Sequence, residues 1–473
     1  MRCVRCAWSL ATIPLALIAI GGCGTGASAP VDAASLEASA TGDARRAPLP
    51  DSPNVIIVLT DDQGYADVGV FGAQGFTTPN LDRLAAEGVQ LTNFYVGAPI
   101  CSPSRAALMT GSYPVRVGIT EVLQPSSAVG LNPRELTIAD LLKSVGYATA
   151  AVGKWHLGDR QIFLPTRQGF DEYFGLPYSN DMTPLPLLEN EDVIEYSPDL
   201  SQLTKRYTEK ALDFITRNQQ NPFFLYLAHT MPHVPLAASD DFKGKSARGL
   251  YGDVIMEIDW SVGQILAKLD ELGIANKTLV VFASDNGPWL SYGNHAGSAR
   301  PLREGKFTTF EGGQRVPGIV RWPDRLEGNR VSNAVVTAMD LLPTIAAITG
   351  AALPTWPIDG RNVLPILDGS PGGASPLASM YFYAGAELQA VRAGQWKLHL
   401  PHGYETVTEP GMDGDPGQEA SRAIPLSLFD LDTDRGETTD LSEQHPDLVS
   451  DLMSAAAVFD ADLKKNQRPP GRL

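Results

Sequence analysis

The chain has 473 residues, 43% hydrophobic and 19% charged, with a formal net charge of −17 and a mean hydropathy of −0.08. That is too apolar for a disordered chain and too mixed for a polytopic membrane protein. The excess of 54 acidic over 37 basic side chains argues against nucleic acid as a partner, and four cysteines are too few for a disulfide scaffold.

Arg2 and Arg5 precede an apolar run over residues 8–20, which ends in Ile20-Gly21-Gly22-Cys23. A basic start, a short apolar core and small residues before a cut make an export signal. The run is shorter than the ~20 apolar residues a membrane-spanning helix needs. Ile-Gly-Gly-Cys resembles the lipobox of bacterial lipoproteins. This implies lipid on Cys23, a place in the bacterial cell envelope and membrane contact through that lipid only. Loss of the signal removes Arg2 and Arg5 and takes the formal charge from −17 to −19. Residues 24–53, rich in Ala, Ser, Gly, Thr and Pro, read as a flexible tether. Cys3 and Cys6 leave with the signal, so Cys101 is the lone thiol of the folded part and calls for an explanation.

Residues 54–60, Asn-Val-Ile-Ile-Val-Leu-Thr, are a continuous apolar run with the signature of a strand buried on both faces. Thr78-Pro79 opens a helix with Thr as N-cap, and Gly88 ends it. The alternation continues. Helices near 137–144, 203–217 and 251–272 precede strands at 147–152, 223–228 and 279–283. This predicts an α/β fold: a large, mainly parallel sheet sandwiched by helices, with ligands beyond the carboxyl ends of the strands. After residue 368 short runs at 379–383 and 389–400 predict a smaller antiparallel sheet, followed by a polar loop over 401–423, a helix over 446–463 and a frayed tail over 464–473. The expected domains are therefore 1–23 signal, 24–53 tether, 54–368 catalytic domain and 369–473 small C-terminal subdomain.

The first strand ends in Asp61-Asp62 and the strand at 279 ends in Asp285-Asn286. Carboxylates brought together repel unless a proton or a cation joins them, and an all-oxygen set suits Ca²⁺ or Mg²⁺ rather than zinc. Cys101-Ser102-Pro103-Ser104-Arg105 reads as a helix start, where free N–H groups favour anions and would lower the thiol's pKa.

Cys-x-Pro-x-Arg opening a helix, with Asp61-Asp62 before it, resembles the formylglycine-dependent sulfatase family of the alkaline phosphatase superfamily. Five further segments are similar to its signatures, in order: Gly153-Lys154-Trp155-His156-Leu157-Gly158, Met231-Pro232-His233-Val234-Pro235, Ser284-Asp285-Asn286-Gly287, the lysine loop over 305–313, and Leu428-Phe429-Asp430-Leu431 with Gly436-Glu437-Thr438. The resemblance implies a sulfuric ester hydrolase whose Cys101 is oxidised to formylglycine by a maturation enzyme. It implies a divalent cation, most often Ca²⁺ with Mg²⁺ as the alternative, held by Asp61, Asp62, Asp285, Asn286 and the modified Cys101. Arg105 would steady the formylglycine, Lys154 and Lys306 would contact the sulfate, His156 would act as base, and His233 would serve the leaving oxygen. Ser179 resembles a sulfate-contacting serine, although Asn180 stands where close members often have His. A phosphomonoester or phosphonate hydrolase on the same site is the alternative within enzymes, and a catalytically silent glycan-binding lipoprotein the alternative outside them. His229 reads equally as packed or as supporting the site, while His399, His402 and His445 read as surface or small-domain residues. Residues 183–198, 289–299 and 401–423 are expected to shape the rim.

Overall fold

The computed structural model describes residues 49, 51–370, 375 and 379–473. The export signal, Cys23 and nearly all of the tether lie outside the described residues. The described residues belong to one compact unit. No helix among the described residues is long and apolar enough to cross a membrane.

In chain order the elements are β1 (Asn54–Thr60), α1 (Pro79–Ala86), β2 (Val89–Tyr95), α2 (Cys101–Thr110), α3 (Pro114–Val117), β3 (Val129–Gly130), α4 (Ile138–Ser144), β4 (Ala148–Gly153), β5 (Glu172–Gly175), β6 (Pro186–Glu189) and β7 (Asp192–Tyr196). Then follow α5 (Leu203–Asn218), β8 (Phe223–Ala228), α6 (Leu250–Glu271), β9 (Thr278–Ser284), α7 (Glu311–Gln314), β10 (Arg315–Arg321), β11 (Arg330–Thr337), α8 (Leu341–Thr349) and α9 (Leu364–Leu367). The C-terminal part holds β12 (Met380–Ala384), β13 (Glu387–Ala393), β14 (Trp396–His399), β15 (His402–Glu409), β16 (Gln418–Ile424), β17 (Ser427–Asp430), α10 (Pro446–Lys465) and β18 (Gly471–Arg472).

Ten strands make the large sheet, in the order β11-β2-β10-β9-β1-β8-β4-β5-β6-β7, with β1 at its centre, parallel to both β9 and β8. The period of two along β1 divides its side chains between two cores. Val55, Ile57 and Leu59 pack with residues of α2, α4 and α8, whereas Ile56 and Val58 pack with α1, α5 and α6. Each such buried branched side chain contributes roughly 1.5–3 kcal/mol. A second sheet, β12-β13-β14-β17, is antiparallel, and α10 covers it.

Four expectations need correction. Thr78 precedes α1, but its hydroxyl accepts the Gly69 N–H at 2.7 Å instead of capping the helix. The run at 389–400 is two strands, paired antiparallel on either side of a turn at Gly394. Residues 401–423 are not a plain loop: β15 and β16 pair as a hairpin. The tail is not frayed, because β18 pairs with β3 and Arg468 donates to Glu135 Oε1 at 2.7 Å.

Candidate active site

Five elements deliver the site. Thr60 and Ser284 are register partners in β1 and β9, so Asp61-Asp62 and Asp285-Asn286 leave the sheet side by side. β4 ends at Gly153 and delivers Lys154 and His156, while β8 ends at Ala228 and leads to His229 and His233. A Cβ on Gly153 would stand 1.8 Å from Ala228 O, so the close approach of β4 and β8 requires glycine there. Cys101 is the first residue of α2, every residue of which is buried. Asp62 and His156 have φ of 66° and 61°, left-handed values that non-glycine residues adopt at a cost and that cluster at functional sites.

Ligand atoms of Asp61, Asp62, Cys101 and His233 lie within 4.8 Å of one another, all buried. Cys101 Sγ donates to Asp61 Oδ1 at 3.6 Å. Lys154 Nζ pairs with Asp61 Oδ2, and Lys306 Nζ pairs with Asp62 Oδ2 at 2.8 Å. Arg105 donates to Asp285 Oδ2 from Nε at 2.9 Å and to Lys154 O from Nη1 at 2.8 Å. Asn286 donates Nδ2 to Asp62 Oδ1 at 2.6 Å, and its buried Oδ1 has no protein partner. Ser179 Oγ accepts from Lys154 Nζ at 3.1 Å. Thus the structure brings together all the expected site residues that it describes; Cys23 lies outside the described residues. Asp285 is outside the ligand cluster, its Oδ2 paired with Arg105 and its Oδ1 accepting the Asp62 N–H at 3.2 Å, and His233 joins the cluster.

These distances set the electrostatics. Burial works to raise Asp61, but Lys154, His233, Arg105 and Lys306 outweigh it and hold the carboxyl far below its ordinary value. Burial and the charge of Asp61 push Asp285 up to about 7. A carboxylate so raised, next to an orphaned amide oxygen, fits a divalent cation, whose charge would let Asp285 ionise. The Cys101 thiol is not acidified by its helix N-terminus. Burial pushes it up to about 12, and Asp61 and Asp285 add to a rise that Lys154 and Lys306 only partly oppose. His156 is held well below the ordinary imidazole value by burial, then by Lys154 and Arg105. Its Nε2 lies 3.1 Å from Leu123 O and its buried Nδ1 has no partner. His233 is lowered by burial and by Lys306, against the pull of Asp62 and Asp61.

Cys101, His156, Ser179, His233 and Lys306 line one cleft of about 480 Å³. A larger recess of about 720 Å³ over Phe71, Phe76 and Arg300 contains none of them, so size alone does not mark the site. Trp289 and Phe307 also line the cleft, and sequence reasoning singled out neither. The Trp289 ring stands edge-on to His233 at 5.6 Å and to Phe307 at 5.3 Å, and Lys306 Nζ lies 4.4 Å from its centroid. Position 289, just past the Asp285-Asn286 pair and first in the rim segment, was the one available signal. His229 is packed, its Nε2 3.3 Å from Ser261 Oγ. His399 and His402 are buried in the C-terminal part, not at the surface.

The family profile described as "Sulfatase" matches residues 53–351, and "C-terminal region of aryl-sulfatase" matches 375–470. The chain is 38% identical to bovine (Bos taurus) "Arylsulfatase A", covering 85% of this chain and 86% of that protein. It is 41% identical to dog (Canis lupus familiaris) "N-acetylgalactosamine-6-sulfatase", covering 83% and 82%. The crystal structure of the PsFucS1 sulfatase from Pseudoalteromonas sp. superposes with a TM-score of 0.79 at 28% identity, covering 88% of this chain and 92% of that one. These relatives do not favour a phosphate-ester hydrolase or a silent binding protein. The match spans both the large sheet and the C-terminal part, and the chain belongs to the sulfatase family, as a sulfuric ester hydrolase.

Proposed function

We propose that the chain hydrolyses sulfate monoesters of aryl alcohols or sugars with a formylglycine made from Cys101 and a Ca²⁺ held by Asp61, Asp62, Asp285, Asn286 and residue 101. In this reading a formylglycine-generating enzyme matures it, Cys23 carries lipid in the bacterial envelope, and 54–368 is the catalytic domain with 369–473 as its companion. The observation that supports it is the charge balance of the buried site. Arg105, Lys154 and Lys306 face Asp61, Asp62 and Asp285, three cations against three anions. A divalent cation leaves a surplus of two positive charges, matched to a sulfate ester anion and an ionised hydroxyl.

Cys101 Sγ stands in for the oxygens of the hydrated aldehyde. That group supplies a nucleophilic hydroxyl, and the cation supplies Lewis-acid polarisation of a sulfate oxygen. With Asp61 and Asp62 committed to the cation, the ammonium groups of Lys154 and Lys306 are left to receive sulfate oxygens, and Ser179 orients Lys154. Arg105, fixed by Asp285, adds positive charge beside residue 101. His156 donates Nε2–H to Leu123 O, so its bare Nδ1 accepts the proton released when sulfate departs. His233 donates Nδ1–H to Val234 O at 2.6 Å, which leaves Nε2 to exchange a proton with the leaving oxygen, with Lys306 beside it.

The test uses matured protein with p-nitrophenyl sulfate and p-nitrophenyl phosphate. Faster sulfate hydrolysis, abolished in Cys101→Ala and lost on chelation, is expected. Preferential phosphate hydrolysis, or full activity in Cys101→Ala, would overturn the reading. Aryl sulfates and N-acetylgalactosamine 6-sulfates, after the names of the two relatives above, are the first panel to try.

A further inference from the structure

Lys306 reaches the cleft from a loop whose other end is buried against the C-terminal sheet. Its backbone N–H donates to Pro288 O at 3.0 Å, and that of Phe307 to Pro99 O at 2.9 Å, tying the loop to the Asp285 and Cys101 segments. Phe310 inserts at the far end, stacked on His399 with centroids 4.8 Å apart and clustered with Ile424 and Phe429. Thr309 O accepts from Lys397 Nζ at 2.8 Å, and the Thr309 hydroxyl donates to Gln389 Oε1 at 3.0 Å. Lys397 also pairs with Glu311 Oε1 at 2.9 Å and Glu437 Oε1 at 3.0 Å. Glu437 closes the knot, accepting the Glu311 N–H at 2.7 Å on Oε2 and facing His399 Nε2 at 2.7 Å on Oε1. Lys397, His399, Glu311 and Glu437 are all 0% exposed.

Fully buried ion pairs are poor stabilisers, because desolvation offsets much of their attraction, and apolar residues of similar volume do as well or better. What such a cluster does provide is direction. Two of its bonds end on the loop's own backbone, at Thr309 O and at the Glu311 N–H, within a few residues of Lys306. We infer that Lys397, Glu437 and His399 are positioning residues that set where Lys306 Nζ stands. The C-terminal sheet thereby serves the sulfate site, although among the described residues none of that sheet lines the cleft. The inference rests on the reading of Lys306 as a sulfate contact.

A double-mutant cycle on the full, matured chain tests it, with p-nitrophenyl sulfate as probe, equal Cys101 conversion verified by peptide mass, and folding verified by circular dichroism. Lys306→Ala, Lys397→Met and Glu437→Gln should each lower kcat/KM about 10- to 100-fold, as a displacement near 1 Å can. In the Lys306→Ala background, Lys397→Met and Glu437→Gln should cost less than about twofold more, because they act through a group already removed. Equal losses in both backgrounds, or an undiminished rate in folded Glu437→Gln, would overturn the positioning role alone. An unimpaired Lys306→Ala would overturn the sulfate contact and this inference with it. Should Lys397→Met fail to fold, the milder Glu437→Gln and Phe310→Leu complete the same cycle, and the same outcomes decide it.

Discussion

The amide oxygen of Asn286 is buried and unpartnered, while its nitrogen is spent on Asp62 and Gly287 O. A polar atom left so costs about 1–3 kcal/mol unless something binds it, and in the proposed reading a cation between the carboxylates would be that partner. Ca²⁺ should therefore raise Tm, and in Asn286→Ala the half-saturating concentration should rise about tenfold or more, read by thermal denaturation in calcium-buffered solution. An unchanged calcium dependence would remove Asn286 from the ligand set. His229 makes a separate prediction. Burial lowers it to about 4, from an ordinary 6.5. A histidine whose folded pKa is depressed contributes stability that is present above 6.5 and lost as pH falls toward 4, at most about 3 kcal/mol here. His229→Phe should flatten the fall in Tm over that window. At this scale the sequence was most legible where chemistry sits in short motifs, as with Asp61-Asp62 and Cys101. It misled on the Cys101 thiol, which burial pushes up with help from Asp61 and Asp285, because a helix start in the sequence carries no sign of how deeply its first residue is buried.

Close backbone approach is what joins the elements around the cleft. A Cβ on Gly287 would stand 1.8 Å from Gly312 O, so the Asp285 loop and the loop carrying Lys306 can touch only through glycine. Gly287→Ala should push Lys306 from the cleft and lower kcat/KM about 100-fold while the chain remains folded, measured by steady-state kinetics beside Tm. A normal rate would show that the two loops need not meet. The buried strands were readable because their residues are apolar on both faces: the run at 223–228 coincides with β8, Phe223–Ala228. The hairpin β15–β16 was not, since most of its side chains are polar and in water, and nothing in its pattern marks an inner face. Nor could pattern reveal β10 as an antiparallel intruder between β2 and β9, because an apolar run carries no sign of direction.

Over the whole molecule, the two sheets share buried charge as well as apolar contacts. Glu311, at the start of α7, depends for neutralisation on Lys397 and Arg315, with Arg392 near its Oε2 at 3.9 Å. A chain ending at residue 368 loses Lys397 and Arg392 and leaves that carboxylate underpaired, a loss of about 3–5 kcal/mol. Such a truncation should be insoluble or inactive, and the full chain should melt in a single calorimetric transition. Two transitions, or an active truncated protein, would show independent domains. The change of character near residue 368 was visible in composition, but the interlock was not, because Glu311, Lys397 and Glu437 meet only in the fold.

Hydrolysis by the proposed route turns on Cys101 as the precursor of the nucleophile. Mass spectrometry of the Cys101-containing peptide, from protein purified out of its own cells, is the decisive measurement. The mass of the aldehyde is expected at position 101, in proportion to sulfatase activity. A quantitatively intact thiol in protein that hydrolyses sulfate esters would contradict it.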